Sequence, residues 1–431
     1  MGVLLFIFRL AELFTFGVLY GLRFLYRATL GRLFGHGGSL AELTGQYLTD
    51  LFEALGATFV KVGQVMSTRP DVFPPGVINA LKRLRSDVAP FNTRLIPGIV
   101  EQACGKPIEE VFPEFDMTPI ASASVAHVHR AKLPTGRVVA VKVRRPGQLR
   151  RVKYDLLVLK IFARLASLIP GADAVDLPSM VDEFTNAIYE QLDFRNEAEN
   201  NRRFRRNFKN AEHVKIPELV EDLCSETLLV MEFIEGLQGV EETDLPQCDK
   251  SIAAASLFDA LFQMVLFDGF VHADMHPGNV FVREGGEIVL LDLGLTSESD
   301  ADLRKHITNY FIGMMTRNGK LCAKAIFEGA ISPPGNLDYE AFERDTIQSI
   351  DMNAGKNIQE YETTQAIIAL LDIMRRYRIR TDPRLTNIFL SIVVLEGLTS
   401  MLDPNLVFED AGQKFITERM GGQVPGAAAA S

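Results

Sequence analysis

Little in this chain points to a zinc site, a disulfide framework or nucleic acid. Its four cysteines, Cys104, Cys224, Cys248 and Cys322, include no Cys-x-x-Cys pair, and its histidines do not cluster. That spacing argues against zinc and fits a reducing, intracellular compartment. There is no basic excess either: 45 basic residues against 55 acidic ones leave a net charge of −10, which speaks against a general nucleic-acid binder. Long apolar runs are also missing. Within the first 35 residues the longest uncharged stretch, Leu13 to Leu22, is about half of what a bilayer crossing needs. Ile388 to Leu395 is short and stops at Glu396. No small-residue cleavage site follows a short basic start, so a secretory signal is a poor fit.

What is present is enough apolar material for a large core: 47% hydrophobic and 23% charged over 431 residues, a length that suggests two to three domains. The first 35 residues are dense in Leu, Phe and Tyr but interrupted by Arg9, Glu12, Arg23, Arg27 and Arg32. Such a helix reads as lying in a membrane interface or docking on an apolar partner, with packing on the protein's own body as the competing reading. Two basic runs, Arg144 to Lys153 and Arg195 to Lys209, read as solvated helix faces or as contacts for acidic headgroups or an acidic partner. Residues 421–431 are low-complexity and read as a disordered tail.

Leu40, Leu43, Tyr47, Leu51 and Leu55 recur at helical spacing, and residues 40–95 read as helices. Lys61, Gln64 and Arg69 punctuate the apolar stretch that follows, so Lys61 should face a groove or a carboxylate. From Pro119 the pattern alternates about Pro134-Thr135-Gly136, a hairpin ending in Val139-Ala140-Val141-Lys142. Ala121, Ser122, Ala123 and Ser124 form a small-residue loop before it, where kinases bring backbone N–H groups onto phosphates. Lys142 is then the amine that grips those phosphates. Glu197 is the best helical acid to hold it, sharing a face with Asp193 and Asn200. The long gap between the two calls for a helical insert at about 148–185. Thr227 to Met231 reads as a buried strand, and Glu232-Phe233-Ile234-Glu235-Gly236 as a linker whose backbone, in a kinase, meets adenine. Residues 250–420 read as mainly helical, with strands only around Asn279–Leu291.

The densest chemistry lies in residues 272–294, HADMHPGNVFVREGGEIVLLDLG. Two apolar runs flank Glu284-Gly285-Gly286, a hairpin that returns the chain and sets Asn279 beside Asp292, just past Asp274. Three oxygen-bearing side chains on one wall suit a hard divalent ion and a phosphoryl acceptor. His-x-Asp-x-x-x-x-Asn followed by Asp-x-Gly matches the kinase catalytic loop and metal site, with Ala273 where ordinary protein kinases carry Arg. Small-molecule phosphotransferases of the aminoglycoside and choline type share it.

In the order Lys61-Val62-Gly63-Gln64, Ala/Ser loop, Val-Ala-Val-Lys, Glu197-Ala198-x-Asn200, His-x-Asp and Asp-x-Gly, the chain resembles the UbiB family of atypical kinases over residues 45–420. TFVKVGQVMSTRPDVFP is its most diagnostic piece. The resemblance implies an α+β, bilobal protein-kinase-like fold. Its parts would be a membrane-associating segment (1–38), a helical extension (39–118), an N-lobe (119–238), a mainly helical C-lobe (239–420) and the tail. It implies ATP and Mg2+ as cofactors, a Lys142–Glu197 ion pair, Asp274 as catalytic-loop acid, and Asn279 with Asp292 as metal ligands. Lys61 and Gln64 would fold over the site, with Lys61 meeting the acids of a Glu-x-Asp motif; here that motif reads Gln191-Leu192-Asp193, and neighbouring Glu190 could substitute for the first acid. His127 stands where the family usually has glutamine. Membrane lipids or prenylquinone precursors, quinone-biosynthesis enzymes and a homodimer are the implied partners, at the cytoplasmic face of an inner membrane. The expected function is ATP hydrolysis or phosphoryl transfer in support of ubiquinone biosynthesis; a small-molecule or lipid kinase and a nucleotide-gated scaffold are the alternatives.

Overall fold

The computed structural model describes residues 2–31, 39–67, 73–84, 91–122, 125–168, 177–242, 244–332, 335–351, 363–406, 411–412 and 414–415. The Ala123–Ser124 half of the small-residue loop, Arg32, Arg69 and the 421–431 tail lie outside them. The chain divides into two compact units, Met1–Ala198 with Glu218–Phe233, and Glu199–Pro217 with Ile234–Ser431. The division falls inside the Glu232–Gly236 linker.

The first unit opens with helix α1 (Gly2–Tyr26) and the helices α2 (Leu40–Leu55), α3 (Ala57–Ser67) and α4 (Pro75–Leu81). Ser39 and Glu42 start α2 with a reciprocal capping box. Phe52, Leu55, Phe59 and Leu81 form a core there with Leu156, Ile188 and Leu192. Those last three come from α7 (Gln148–Ala166) and α8 (Leu177–Leu192), the helical insert. Gly63 of the Lys-x-Gly-Gln segment is required by packing. A Cβ there would lie 2.2 Å from Leu84 Cδ1 and 2.7 Å from Phe52 Cδ2.

The other half of this unit is a sheet in the order β1-β3-β4-β6, with β2 paired to β3. The strands are β1 (Glu114–Phe115), β2 (Ala121–Ser122), β3 (Ala126–Lys132), β4 (Val138–Arg144) and β6 (Leu228–Glu232). Ala121 and Ser122 are therefore strand rather than loop, opposite Val128 and His127. The period of two decides what each sheet face carries. Val139, Val141 and Val143 pack on one side with Ile96 and Val100 of α5 (Ile96–Cys104) and with Ile108 and Val111 of α6 (Ile108–Val111). Lys142 takes the other side, where Ala126 and Leu229 pack with Phe194 and Ala198 of α9 (Phe194–Asn207).

Helix α1 has two unlike faces. Leu13 is buried with partly buried Phe6 and Phe16, packed on the helical core. Arg9 is only 7% exposed: it donates to Asp155 of α7 at 2.6 Å, to Glu12 at 2.6 Å and to the Leu55 carbonyl at 2.7 Å. The outer face carries Ile7, Phe8, Phe14, Val18, Leu22 and Leu25, all exposed, with Phe14 at 70%. Arg9, one of the charges that interrupt the apolar segment, therefore has its charge paired inside the unit.

In the second unit, α10 (Gln247–Phe262) continues through a π-helical turn, Gln263–Asp268, and stops at Gly269, which holds φ +59. Gln247–Asp268 is, among the described residues, the one helix long and apolar enough to cross a membrane, but Ala253, Leu257, Phe258, Leu261 and Phe262 bury it in the core. A four-stranded sheet has the order β5-β10-β9-β7, from β5 (Val214–Lys215), β7 (Gln238–Gly239), β9 (Val280–Val282) and β10 (Ile288–Leu290). Two further pairs correct the expectation of strands only around Asn279–Leu291: β8 (Phe270–His272) with β11 (Thr296–Glu298), and β12 (Ala330–Ser332) with β13 (Arg380–Thr381). Their two- and three-residue lengths leave no alternation to read. Helices α11 (Ala301–Met315), α12 (Gly319–Glu328), α13 (Tyr339–Asp351), α14 (Thr363–Arg376) and α15 (Pro383–Leu402) complete the unit.

Candidate active site

In the first unit, Lys142 and Glu197 meet. Lys142 Nζ donates to both Glu197 carboxylate oxygens, at 2.8 and 2.9 Å, and lies 5.4 Å above the Phe194 ring. Both side chains are close to fully buried, Lys142 at 4% and Glu197 at 5% exposed. Two buried charges in bidentate contact satisfy each other, and removing one would strand the other. The sheet carries Lys142 and the first turn of α9 carries Glu197, so two rigid elements set the pair.

In the second unit, the β9–β10 hairpin builds the other group. Leu290 pairs with Val280, and the Leu291 N–H donates to the Asn279 carbonyl at 2.9 Å, which seats Asp292 next to Asn279. The turn uses Gly285 and Gly286 at φ +80 and +76. Asn279 Nδ2 donates to the Asp274 carbonyl at 2.9 Å, so Oδ1 is the atom of this side chain that could hold a metal. Asp292 holds φ +50, a left-handed conformation unusual for a non-glycine residue and common at functional turns. His272 is fully buried; its Nδ1 accepts the Asp274 N–H at 3.2 Å and its Nε2 sits 3.3 Å from the Leu291 carbonyl, so one imidazole ties the catalytic loop to the end of β10. Burial drives its pKa below the ordinary histidine value and keeps it neutral.

The donor set is oxygen only. Among the described residues no group of three or more His, Cys, Asp or Glu could form a metal cage. A carboxylate and an amide oxygen at adjoining backbone positions are donors of the type that suits Mg2+, which keeps waters and shares its sphere with phosphates. A cavity of about 400 Å3 lies elsewhere in this unit, beside Glu235, Gly236 and Arg283. Asp244, Asp249 and Glu284 also line it, an acidic wall unsuited to a triphosphate.

Five further expected residues are placed as follows. Asp193 pairs with Arg195 at 2.6 Å and accepts the Arg195 N–H at 3.1 Å, acting as the cap of α9. Among the described residues no ion pair joins it to Lys61, which is half-buried on α3. Gln64 Nε2 donates to the Leu84 carbonyl at 3.3 Å, tying α3 to the end of α4. The Glu232 N–H is taken by the Glu218 carbonyl at 2.7 Å, which leaves that donor unavailable to a base; Ile234 opens the second unit. Much of the second basic run is spent internally, with Arg202 and Arg206 on Glu199 and Arg203 on Glu298.

The ABC1 atypical kinase-like domain matches residues 83–326, and the UbiB helical domain matches residues 348–407. This chain belongs to the UbiB family of atypical kinase-like proteins. Its UbiB relatives include the probable protein kinase UbiB of Vibrio cholerae, 32% identical over 390 residues, 88% of this chain and 71% of that protein. The protein of the same name in Aliivibrio fischeri is 31% identical over 89% of this chain and 72% of its own length. An uncharacterized Synechocystis protein is 31% identical over 82% of this chain and 90% of its own length. The kinase-like fold also appears in the complex structure of Rv3197 with erythromycin from Mycobacterium tuberculosis. There the TM-score is 0.59 at 22% identity, over 86% of this chain and 95% of that one.

His127 lies in β3 with no exposure. It stacks on Phe91 at 3.9 Å and Nε2 accepts the Phe91 N–H at 3.1 Å, while Nδ1 has no partner among the described residues. Burial, with Arg145 nearby, lowers its pKa to about 4. The folded form therefore resists a proton that the unfolded chain accepts near pH 6.5. Stability is complete above that pH and falls as the pH drops toward 4, by about 3 kcal/mol for this residue. Urea midpoints of His127→Gln should fall less steeply between pH 6.5 and 4 than those of the parent, with buried His129 and His272 among the groups that contribute what slope remains. Equal slopes would contradict this assignment.

Proposed function

We propose that this protein binds ATP–Mg2+ and hydrolyses it, or transfers its phosphoryl group, at a membrane surface in support of ubiquinone or another prenylquinone's biosynthesis. The observation that carries the proposal is the buried Lys142–Glu197 pair, together with the Asp274, Asn279 and Asp292 wall built by the catalytic loop and hairpin. Lys142, held by Glu197, orients the nucleotide phosphates. Asn279 and Asp292 hold the magnesium, which when bound neutralises charge developing on the phosphates. Asp274 positions the attacking hydroxyl or water. Ala121 and Ser122, on β2, lie in the segment that would offer backbone donors. The relatives' name, probable protein kinase UbiB, supports the reading.

Membrane action rests on α1. Its outer face is apolar along its length, while its buried arginine fastens it to α7, itself exposing Leu157, Ile161, Phe162 and Leu165. That pattern suits insertion into the headgroup boundary. Exposed Arg150, Arg151 and Lys153 on α7 suit anionic lipid.

The test is ATP turnover by the pure protein with γ-labelled ATP, with and without anionic vesicles. The expected result is Mg2+-dependent release of free phosphate, faster with vesicles. Label appearing in a lipid extract would establish the lipid-kinase alternative, and nucleotide binding without turnover would establish the scaffold. Phe8→Glu/Phe14→Glu/Leu22→Glu should abolish flotation with the vesicles; equal flotation would remove the membrane role of α1.

A further inference from the structure

The residues after Asp292 are fastened down rather than left as a loop. The Leu295 carbonyl accepts the Ala273 N–H at 3.1 Å, and the Ser299 N–H donates to the Gly269 carbonyl at 2.9 Å. Between them, Thr296, Ser297 and Glu298 pair antiparallel with His272, Val271 and Phe270. The chain leaving the Asp-Leu-Gly turn therefore runs back along the strand that leads into the catalytic loop. Asn200 Nδ2, from α9, donates to the Leu293 carbonyl at 2.9 Å and holds the turn itself.

Two arginines from distant parts of the sequence close the outer edge. Arg203 of α9 donates to Glu298 Oε1 at 2.9 Å, with its guanidinium 4.0 Å over the Phe270 ring. Arg384, in the first turn of α15, donates to the Glu298 carbonyl and to Asp300 Oδ2, each at 3.1 Å. Asp382 aims that guanidinium, accepting from it at 2.6 Å while also capping α15 through the Arg384 N–H at 2.9 Å. Asp300 in turn caps α11 through the Leu303 N–H at 2.9 Å. A guanidinium's planar fork can serve a carbonyl and two carboxylates at once; an ammonium cannot hold that geometry.

We propose that Arg384 is a positioning residue for the metal pair. From the UbiB helical domain it latches residues 298–300, keeping the 293–299 segment on β8 and Asp292 in its left-handed turn beside Asn279. Arg203 is its counterpart on the helix that also carries Glu197. The metal role of Asp292 rests on the function proposed above; the latch itself rests on the contacts alone. Its ion pairs are partly exposed and worth little to global stability, so its effect is local order.

The test compares Arg384→Gln and Arg384→Lys with the parent in the full chain. Arg375→Gln, which breaks a surface pair with Asp372 elsewhere in the helical domain, serves as the charge control. Amide exchange across 293–299 should quicken about tenfold in Arg384→Gln and by less in Arg384→Lys. The melting temperature and the control should stay unchanged. The Mg2+ concentration that half-saturates binding of a fluorescent ATP analogue should rise severalfold in Arg384→Gln, with Mg2+-free affinity intact. Unchanged exchange would overturn the latch. Faster exchange with an unmoved Mg2+ midpoint would overturn its positioning role. A parent protein whose nucleotide binding ignores Mg2+ would instead overturn the functional reading, while the exchange measurement still decides the latch.

Discussion

Arg9→Leu is expected to destabilise the first unit by about 3–5 kcal/mol, because it leaves a buried carboxylate without its cation. Asp155 is 1% exposed and takes its 2.6 Å bond from Arg9. The same guanidinium satisfies the Leu55 carbonyl, the last residue of α2, so one substitution loosens α1 from both α2 and α7. Urea denaturation followed by a probe in the helical core checks this. The control is Arg9→Leu/Asp155→Leu, which replaces both charges with apolar groups and should recover most of the loss. A single variant that unfolds within about 1 kcal/mol of the parent would show that the pair is solvated after all.

The second large effect is on chemistry. Asp292→Asn keeps the size of the side chain and the tolerance for a left-handed backbone, so the fold should survive. It removes the only carboxylate of the metal pair proposed above. Charge neutralisation by a bound metal is worth several kcal/mol, so turnover should fall by about a hundredfold or more. Nucleotide affinity without Mg2+ should hardly change, since Lys142 and Glu197 are untouched. A variant that hydrolyses ATP as fast as the parent would reassign Asp292 to a structural turn.

The sequence carried its information in local spacing. Three- and four-residue periodicity marked α2, period-two alternation marked β3 and β4, and Gly-Gly between two apolar runs marked the β9–β10 turn. Lys142 and Glu197 are joined in space because each sits on an element whose face the local pattern exposes. Partner choice was less legible. Asp193 looks like a free acid for Lys61 until Arg195 is seen to fold back onto it. Arg9 looks like an unpaired charge in an apolar segment because its partner, Asp155, is 146 residues away. The β8–β11 pair is three residues deep, too short to show alternation, and with it went the Arg203 and Arg384 latch. Ala121 and Ser122 belong to a strand because Val128 and His127 offer them partners, a long-range fact that composition does not hold.

The proposed function requires that Lys142, held by Glu197, and Asp292, with Asn279, act on the same nucleotide. Calorimetric titration with ATP, with and without Mg2+, tests it on the parent, Lys142→Met and Asp292→Asn. Mg2+ is expected to strengthen binding in the parent, Asp292→Asn to lose only this enhancement, and Lys142→Met to weaken binding in both conditions. Unaltered affinity in both variants would contradict it.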